Sequence, residues 1–309
     1  MIPLHRFVMP ASLALAAACA PPASDGEAEE ATGAAGLVVV ADVGFLTPES
    51  VLHDSAADVY LVTNINGSPL ATDDNGFISR VTPDGSVQAL KWIDGAAEHV
   101  RLDAPKGMGI RGDSLFVADI TALRIFHRVS GEPMGSWPVS DATFLNDVAV
   151  GPDGTIYVTD TGLRAGADGA FAESGTDALY RFGSDGTPEQ LTGGTTLGRP
   201  NGIAVGPERI ALVSFGSGAV FLIDPETGRT SGLPSPPSGQ LDGVVFTETG
   251  AMLISSWEGQ AVYRMMAGGQ YEVMVDSVEA PADIGYDARR RRLLIPLFTA
   301  NRVEVHPLP

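Results

Sequence analysis

Cysteine is what this chain has least of: Cys19 is the only one among 309 residues. Since a disulfide needs two cysteines, no disulfide within the chain stabilises the fold, even in an oxidising compartment. Aromatic residues are also sparse, at 7%, whereas the chain contains 37 glycines and 22 prolines. Frequent glycine and proline are typical of a domain with many tight turns between short elements.

Positively charged side chains are scarce too. Lys and Arg number 19 against 38 Asp and Glu, which gives a formal net charge of −19. A field of this sign repels phosphate backbones, so the composition argues against a nucleic-acid partner and favours cations and neutral ligands; the alternative is that the acidity only aids solubility. The length allows one large domain or two small ones, and the hydrophobic fraction of 44% is sufficient for a packed core.

Long apolar runs are missing outside the N-terminus, and the one there, residues 7–18, is too short to span a membrane. It predicts an export signal over residues 1–18. Three alanines directly before Cys19 resemble the lipobox of bacterial lipoproteins. The resemblance implies a lipid anchor on Cys19, as the only membrane contact, on the periplasmic side of the bacterial cell envelope; the alternative is an ordinary cleaved signal with an incidental cysteine. Residues 19–36 predict a disordered tether, and residues 37–309 the folded domain.

A short β-run with the same opening recurs six times after the tether, at intervals of 40 to 57 residues. Each run is followed by a polar turn, a second strand and a more clearly alternating third strand. Strand modules that repeat at this period predict a β-propeller, here all-β with six blades. We call the opening residue of each run its ring residue; the six are Glu49, Lys106, Asn146, Asn201, Asp242 and Ala282.

The sixth module contains only three strands before the chain ends at Pro309. A spare β-run, residues 36–41, precedes the first module. We predict that it supplies the outermost strand of the sixth blade and so closes the ring, because an open propeller leaves unpaired strand edges.

The innermost strand of each blade lines the central channel of a propeller, so the ring residues are expected to converge near the axis on one face. Two long loops on that face, residues 64–75 and 161–177, are predicted to form the mouth through which a substrate enters.

Four ring residues offer hard oxygen donors: Glu49, Asn146, Asn201 and Asp242. Two carboxylates and two amide carbonyls suit Ca²⁺, or Mg²⁺ and Mn²⁺ with more water retained, whereas the absence of His and Cys from the ring disfavours zinc. Asn-Asp, Asn-Gly and Asp-Gly are also common turn dipeptides, and each alone would indicate only a turn. Four donors at one repeat position favour a cation site. Asp147 and Asp283, one place further on, suit either a structural ion or a turn.

The runs Pro48-Glu49, Asn146-Asp147, Pro200-Asn201-Gly202 and Asp242-Gly243 resemble those of the calcium-dependent six-bladed propellers, which include the regucalcin/gluconolactonase family, diisopropyl-fluorophosphatase and the paraoxonases. The resemblance covers residues 37–309. It implies that Glu49, Asn146, Asn201 and Asp242 hold a catalytic metal, that Asp242 acts as general base, and that the activity is hydrolysis of lactones, esters or organophosphates.

Two residues depart from that pattern. Phe144 stands where gluconolactonase-type members have an arginine that binds the sugar, which favours a more apolar lactone or ester. Lys106 stands where paraoxonases have a histidine assigned as a base. A partly desolvated Lys106 beside a cation would have a lowered pKa and would orient water or stabilise an oxyanion. Alternatively, its ammonium pairs with Glu49 or Asp242 and replaces the metal.

Two functions follow from these alternatives. In the first, the protein is a monomeric metal-dependent hydrolase in which water attacks the polarised carbonyl of a small-molecule lactone or ester, with Asp242 or Lys106 as the base. In the second, it is a non-catalytic, envelope-anchored binding or scaffold propeller in which Lys106 stands in for the metal, since fold alone does not set function.

Overall fold

The computed structural model describes residues 36–309, and these form a six-bladed β-propeller, as the repeat predicted. The predicted signal, Cys19 and the tether lie outside the described residues, apart from Gly36. Among residues 36–309 no helix has the length and apolar character needed to cross a membrane.

Each blade is a four-stranded antiparallel sheet whose strands follow the chain from the axis outward. The first strand of the domain, β1 (Val38–Val40), is the exception discussed below. Blade 1 consists of β2 (Pro48–Asp54), β3 (Val59–Asn64), β4 (Phe77–Val81) and β5 (Val87–Asp94). Blade 2 consists of β6 (Pro105–Arg111), β7 (Ser114–Asp119), β8 (Ala122–His127) and β9 (Pro133–Pro138).

The third blade carries an insertion on the face of the ring residues. Its sheet contains β10 (Leu145–Val150), β11 (Ile156–Asp160), β14 (Ala178–Phe182) and β15 (Pro188–Gly193). Between β11 and β14 the chain forms a separate hairpin of β12 (Leu163–Ala165) and β13 (Phe171–Glu173). The sequence predicted only a loop here. The register of the hairpin, Leu163 opposite Glu173, aligns two short strands around a turn that contains Gly166 and Gly169.

The remaining blades keep the same order. Blade 4 consists of β16 (Pro200–Val205), β17 (Ile210–Ser214), β18 (Val220–Ile223) and β19 (Thr230–Leu233), after a 3-10 turn at Thr195–Leu197. Blade 5 consists of β20 (Leu241–Phe246), β21 (Met252–Ser256), β22 (Ala261–Met265) and β23 (Tyr271–Val275). Blade 6 consists of β24 (Gly285–Asp287), β25 (Arg292–Leu297), β26 (Arg302–Pro307) and β1.

Strand β1 closes the ring, as predicted. It pairs antiparallel with β26, with Val38 opposite Val305 and Val40 opposite Val303, so the N-terminal strand forms the outer edge of blade 6. A cluster that includes Val40 from blade 6 and Tyr60 from blade 1 packs the two together. Five comparable clusters of buried apolar side chains fill the other spaces between neighbouring blades. The core of the domain is therefore divided among six inter-blade layers around the axis.

Candidate metal centre and substrate cavity

The ring residues lie in a β-bulge that recurs in five of the six blades. On each innermost strand the pairing with the second strand is interrupted for two residues, the ring residue and its successor. A bulge re-aims side chains that a regular ladder would send to alternate faces. The pairs are Glu49-Ser50, Lys106-Gly107, Asn146-Asp147, Asn201-Gly202 and Asp242-Gly243.

Side chains of the second strands hold these bulges in place. Hydroxyls of Thr63, Thr159 and Ser255 accept the backbone N–H of the residue that follows the ring residue in their blades, at 2.8 to 2.9 Å. Each of these N–H groups would otherwise be buried without a partner, because the bulge has removed it from the ladder. Sequence reasoning missed this function, although a hydroxyl at that point of three second strands was a visible signal.

Carboxylates at the ends of two second strands fix the approach to the ring. Asp119 accepts the backbone N–H groups of Asp103 and Ala104. Asp160 accepts those of residues 143 and 144. The segment before Lys106 and the segment before Asn146 are each held by a fully buried carboxylate, and these carboxylates were not singled out from the sequence.

One cavity of about 370 Å³ collects the predicted site residues. Its floor includes Glu49, Lys106, Asn146, Asn201 and Asp242. Pro69 from the loop 64–75 and residues 161, 163 and 171 from the segment 161–177 also line it, so both predicted mouth loops reach the cavity. Ala282, the sixth ring residue, is fully buried and does not belong to this wall.

Within residues 36–309, each of the four oxygen-bearing ring residues presents one buried oxygen with no hydrogen-bond partner. They are Glu49 Oε2, Asn146 Oδ1, Asn201 Oδ1 and Asp242 Oδ1. The four side chains are only 3% to 5% exposed. Leaving a buried acceptor unpaired costs about 1–3 kcal/mol, more when it is charged. Four such acceptors in one cavity are the chemistry expected of a cation site, so the residues present fit a hard divalent ion. Their role as ligands stays a prediction.

The orientation of Asn146 is fixed by Thr161. The Thr161 hydroxyl donates to Pro200 O at 2.8 Å and therefore accepts from Asn146 Nδ2, at 2.9 Å. The amide nitrogen is thereby held against Thr161, and the carbonyl oxygen is the atom that faces the cavity.

The ring is electrostatically unbalanced without a cation. Burial raises the pKa of Glu49 well above its usual value, and Asp242 and Asp147 raise it further while Lys106 opposes the rise. Burial also raises the pKa of Asp242, followed by the charge of Asp147. Both carboxyl groups therefore resist ionisation, and a bound divalent cation would favour their charged forms.

Asp147 and Asp283 lie behind the ring rather than in it. Both line a second cavity, of about 600 Å³, at the other end of the innermost strands, to which none of the four oxygen donors contributes. Asp147 accepts the backbone N–H groups of Val148 and Ile203, and Asp283 accepts the hydroxyl of Ser50. These bonds agree with the turn-type role that the sequence left open for them.

Lys106 is not paired with a ring carboxylate. Its ammonium donates to Ala104 O at 2.9 Å and lies 4.4 Å from the centroid of the Phe144 ring. Among residues 36–309, no ion pair within 4.0 Å joins Lys106 to Glu49 or Asp242. The side chain is 1% exposed, and burial lowers its pKa to about 8 although Glu49 raises it. The pairing needed for Lys106 to replace the metal is therefore not formed.

The aromatic ring of Phe144 is therefore the cation–π partner of the Lys106 ammonium, a contact that the sequence did not predict. Its ring also contacts Phe171 of the hairpin, with centroids 6.4 Å apart. On the opposite wall Phe215, Trp257 and Phe298 form a chain with centroid distances of 5.4 and 5.0 Å. The indole of Trp257 opposes the rise in the pKa of Asp242, although its N–H has no acceptor at full hydrogen-bond geometry among the described residues.

The described part of the chain offers no alternative metal site outside the ring residues. No group of three or more His, Cys, Asp or Glu side chains in residues 36–309 is placed to hold an ion. The ring itself is not such a group, because two of its four donors are asparagines.

No protein-family model and no curated protein sequence matches the chain. Solved structures do. The chain is similar to a gluconolactonase from Xanthomonas campestris, with 19% identity over 88% of this chain and 89% of that one and a TM-score of 0.68. A second structure, provisionally named a gluconolactonase, is 18% identical over 88% of this chain and 92% of that one, with a TM-score of 0.63.

A virginiamycin B lyase from Staphylococcus aureus is similar as well, with 13% identity, a TM-score of 0.61, and 88% of this chain and 99% of that one covered. At these identities the likeness establishes the fold and not the activity. The chain has the propeller fold of the gluconolactonase structures, which confirms the resemblance at the level of the fold.

Proposed function

We propose that the protein is a divalent-metal-dependent hydrolase of lactones or esters, with Ca²⁺ as the preferred ion and Mg²⁺ or Mn²⁺ as alternatives. The observation that carries the proposal is the set of four unpaired buried oxygens on Glu49, Asn146, Asn201 and Asp242 in one solvent-connected cavity. Four oxygen acceptors that converge on one cavity suit a hard cation better than an apolar ligand.

Charge supports the choice of ion. Beyond the effect of burial, the ring carboxylates and the two behind them, Asp147 and Asp283, raise one another's pKa, and this excess of negative charge is opposed by Lys106 only at Glu49 among these four groups. A divalent ion offsets most of this excess, and oxygen-only donors match hard cations. When bound, such an ion supplies a Lewis acid that polarises a substrate carbonyl.

The chain's own residues would move the protons. In the hydrolytic step a water oxygen bonds to the carbonyl carbon while its proton passes to Asp242 Oδ or, with Lys106 in its amine form, to Lys106 Nζ. The bond from carbon to the leaving oxygen then breaks, and the proton returns to that oxygen, so the products are an acid and an alcohol. Asn146, held by Thr161, keeps its carbonyl oxygen on the cavity side throughout.

The wall selects against polar sugars. Phe144 lies in the cavity lining at the position where the gluconolactonase resemblance would place an arginine, and Phe171, Phe215, Trp257 and Phe298 line the sides. Aromatic side chains bind apolar ring systems and acyl chains by burial and stacking. We therefore propose lactones or esters with an apolar body.

The proposal is tested by metal content and activity together. We expect about one divalent ion per purified chain, and we expect EDTA to lower Tm and to abolish hydrolysis of a lactone and aryl-ester panel. Asp242→Asn should lose turnover, whereas Asp276→Asn, the same charge change on an exposed residue, should not. If EDTA leaves both Tm and hydrolysis unchanged, the hydrolase proposal fails.

Two other functions are distinguished by further readouts. For a scaffold in which Lys106 replaces the metal, Lys106→Ala would create a new dependence of Tm on Ca²⁺; for a catalytic Lys106, the same variant would lower turnover while metal affinity holds or rises.

Because a lyase shares the fold, product analysis in ¹⁸O-water distinguishes hydrolysis from elimination: hydrolysis incorporates one oxygen from water, and elimination does not.

We also propose that the domain acts on the periplasmic side of the cell envelope, anchored by lipid on Cys19. This follows from the signal-like residues 1–18 and the small residues before the cysteine. Cys19→Ala in the full chain should move the protein from the membrane fraction to the soluble periplasmic fraction. Retention in the membrane fraction would contradict it.

A further inference from the structure

We infer that Arg199 makes the cavity selective for substrates that carry an anionic group at the end remote from the reacting carbonyl. This inference rests on the proposed function, because it concerns the same cavity. Arg199 lies two residues before Asn201, and its side chain lines the cavity together with that ring residue.

The local fold fixes the course of the Arg199 side chain. Its backbone N–H donates to Asp177 Oδ2 at 2.7 Å, and its φ of 62° lies in the left-handed region. A Cβ on Gly216 would come within 3.0 Å of Arg199 Cδ and Nε. The side chain therefore lies across the backbone of Gly216, and any larger residue there would displace it. Arg199 is thus a non-glycine residue at positive φ whose side chain lies over Gly216. The fold fixes its position, which distinguishes it from an unrestrained surface arginine.

The guanidinium is at the mouth and is only lightly engaged. Its Nη2 donates to Glu173 Oε1 at 3.1 Å, and the Arg199 and Glu173 side chains are 40% and 71% exposed. Glu173 lies two residues after Phe171 on the same strand, so the two share one face of the hairpin, and Phe171 lines the cavity. A pair this exposed is worth little, so a substrate carboxylate can share or take over the guanidinium.

The distribution of charge favours an anion here despite the net −19 of the chain. The charged side chains that line the cavity are Glu49 and Asp242 against Lys106 and Arg199, which cancel. A divalent ion in the ring then gives the cavity lining an excess of positive charge, of which Glu173 beside Arg199 offsets one unit. A substrate with one carboxylate matches this excess, and Arg199 is the one of these groups that lies at the mouth rather than on the floor.

The aromatic wall begins at Arg199 itself. Phe215 N donates to Arg199 O at 2.9 Å, and from Phe215 the aromatic chain continues through Trp257 to Phe298. An apolar segment packed on this wall would separate the reacting carbonyl at the ring from a charge at Arg199. The substrate class is thus an ester or lactone with an apolar body and a terminal carboxylate.

Two esters of equal length test the inference: phenyl hexanoate, which ends in a methyl group, and phenyl hydrogen adipate, which ends in a carboxylate. We measure kcat/KM for both with the metal-loaded wild type, Arg199→Met and Arg199→Lys, after subtracting spontaneous hydrolysis. Arg164→Met is the matched control, since Arg164 is exposed on the neighbouring strand β12 and does not line the cavity. Tm is recorded for every variant.

The wild type should prefer the adipate ester by about tenfold, the size expected of a charged hydrogen bond. Arg199→Met should remove the preference by raising KM for the adipate ester more than for the hexanoate ester, Arg199→Lys should restore part of the preference, and Arg164→Met should keep it. Equal preference in wild type and Arg199→Met, with both esters hydrolysed, overturns the inference and leaves the proposed function standing.

A binding measurement tests the inference in the case where neither ester is hydrolysed and the proposed function fails. Calorimetry then compares the phenyl amide of adipic acid with that of hexanoic acid. Tighter binding of the adipate amide to wild type than to Arg199→Met supports it; the same affinity for both proteins refutes it.

Discussion

Replacing Glu49 by Gln should change stability in opposite directions with and without Ca²⁺. The substitution keeps the shape of the side chain and one carbonyl oxygen but removes one negative charge. In the metal-free protein Glu49 is fully buried among like charges; with an ion bound, the same carboxylate is an attractive ligand.

The metal-free effect follows from the neighbours of Glu49. Burial disfavours the charge of Glu49 most, Asp242 and Asp147 repel that charge, and Lys106 attracts it. Two unit charges about 8 Å apart at an effective dielectric of about 20 interact by about 2 kcal/mol. Glu49→Gln should therefore stabilise the metal-free protein by about 2 kcal/mol, which raises Tm by about 4–8 °C for a domain near this size.

The Ca²⁺-bound effect has the opposite sign. Calcium affinity depends on the number of charged ligands, and loss of one of two ring carboxylates should weaken binding on the order of 100-fold. At a fixed excess of ion this reduces the stabilisation by ligand by about 2.7 kcal/mol. The Ca²⁺-induced rise in Tm should thus fall by about 5–11 °C.

Scanning calorimetry at pH 8, in EDTA and in excess CaCl₂, measures both effects on one sample. Glu208→Gln is the control, since it makes the same charge change on an exposed residue in a turn at the far ends of the strands. If Glu49→Gln lowers the metal-free Tm and leaves the Ca²⁺-induced rise intact, the ring is not a cation site and the reasoning from unpaired oxygens is wrong.

Two further predictions concern the frame of the ring. Gly202→Ala places a Cβ 2.2 Å from the backbone oxygen of Asp242, so it should destabilise the fold by about 1–3 kcal/mol or more and reduce metal affinity. Gly232→Ala, whose Cβ would have nothing within 4 Å, should do neither. Thermal unfolding with and without CaCl₂ compares the two variants. Asp58, whose pKa is lowered chiefly by hydrogen bonds from Arg290 at 2.6 and 2.8 Å, joins blade 1 to blade 6. Its folded pKa is depressed, so its contribution is present above the unfolded pKa near 4 and is lost as pH falls through the folded value. Asp58→Asn should lower Tm by about 2–4 °C at pH 7, and the deficit should shrink below about pH 4; a deficit independent of pH contradicts an ionic role.

The blades could be predicted from the sequence because each repeats one local pattern. The spare run before the first module was sufficient to predict ring closure, since a sixth blade with three strands needs a fourth and only residues 36–41 were unassigned. The hairpin β12–β13 was not predictable in the same way. Its strands are three residues long and mostly exposed, so they lack the alternation of apolar and polar residues that marks a strand.

The positions of the ring residues could be predicted, but the β-bulge that directs their side chains could not. A strand period of two assigns Asn146 and Asp147 to opposite faces of a regular ladder. The bulge instead directs Asn146 to the front cavity and Asp147 to the rear one, where its oxygens accept N–H groups of Val148 and Ile203. Such a register change depends on Thr159 in another strand, and a single strand's sequence does not contain it.

The two alternatives for Lys106 show where sequence reasoning ends. Whether the Lys106 ammonium pairs with Glu49 depends on other contact partners, at positions that do not recur from one repeat to the next. Ala104 O is available because Asp119 holds the segment before Lys106, and the ring of Phe144 is available because the third blade has a phenylalanine two residues before its ring residue. These two contacts satisfy the ammonium without a carboxylate. Phe144 thus leaves Glu49 Oε2 without a partner among the described residues. If the proposed cation site is right, Phe144→Leu, which removes the cation–π contact, should let Lys106 approach Glu49 and weaken Ca²⁺ binding. Calcium affinity measured by calorimetry, with Phe298→Leu on the other wall as the control, checks this coupling, and equal affinities for the two variants would contradict it.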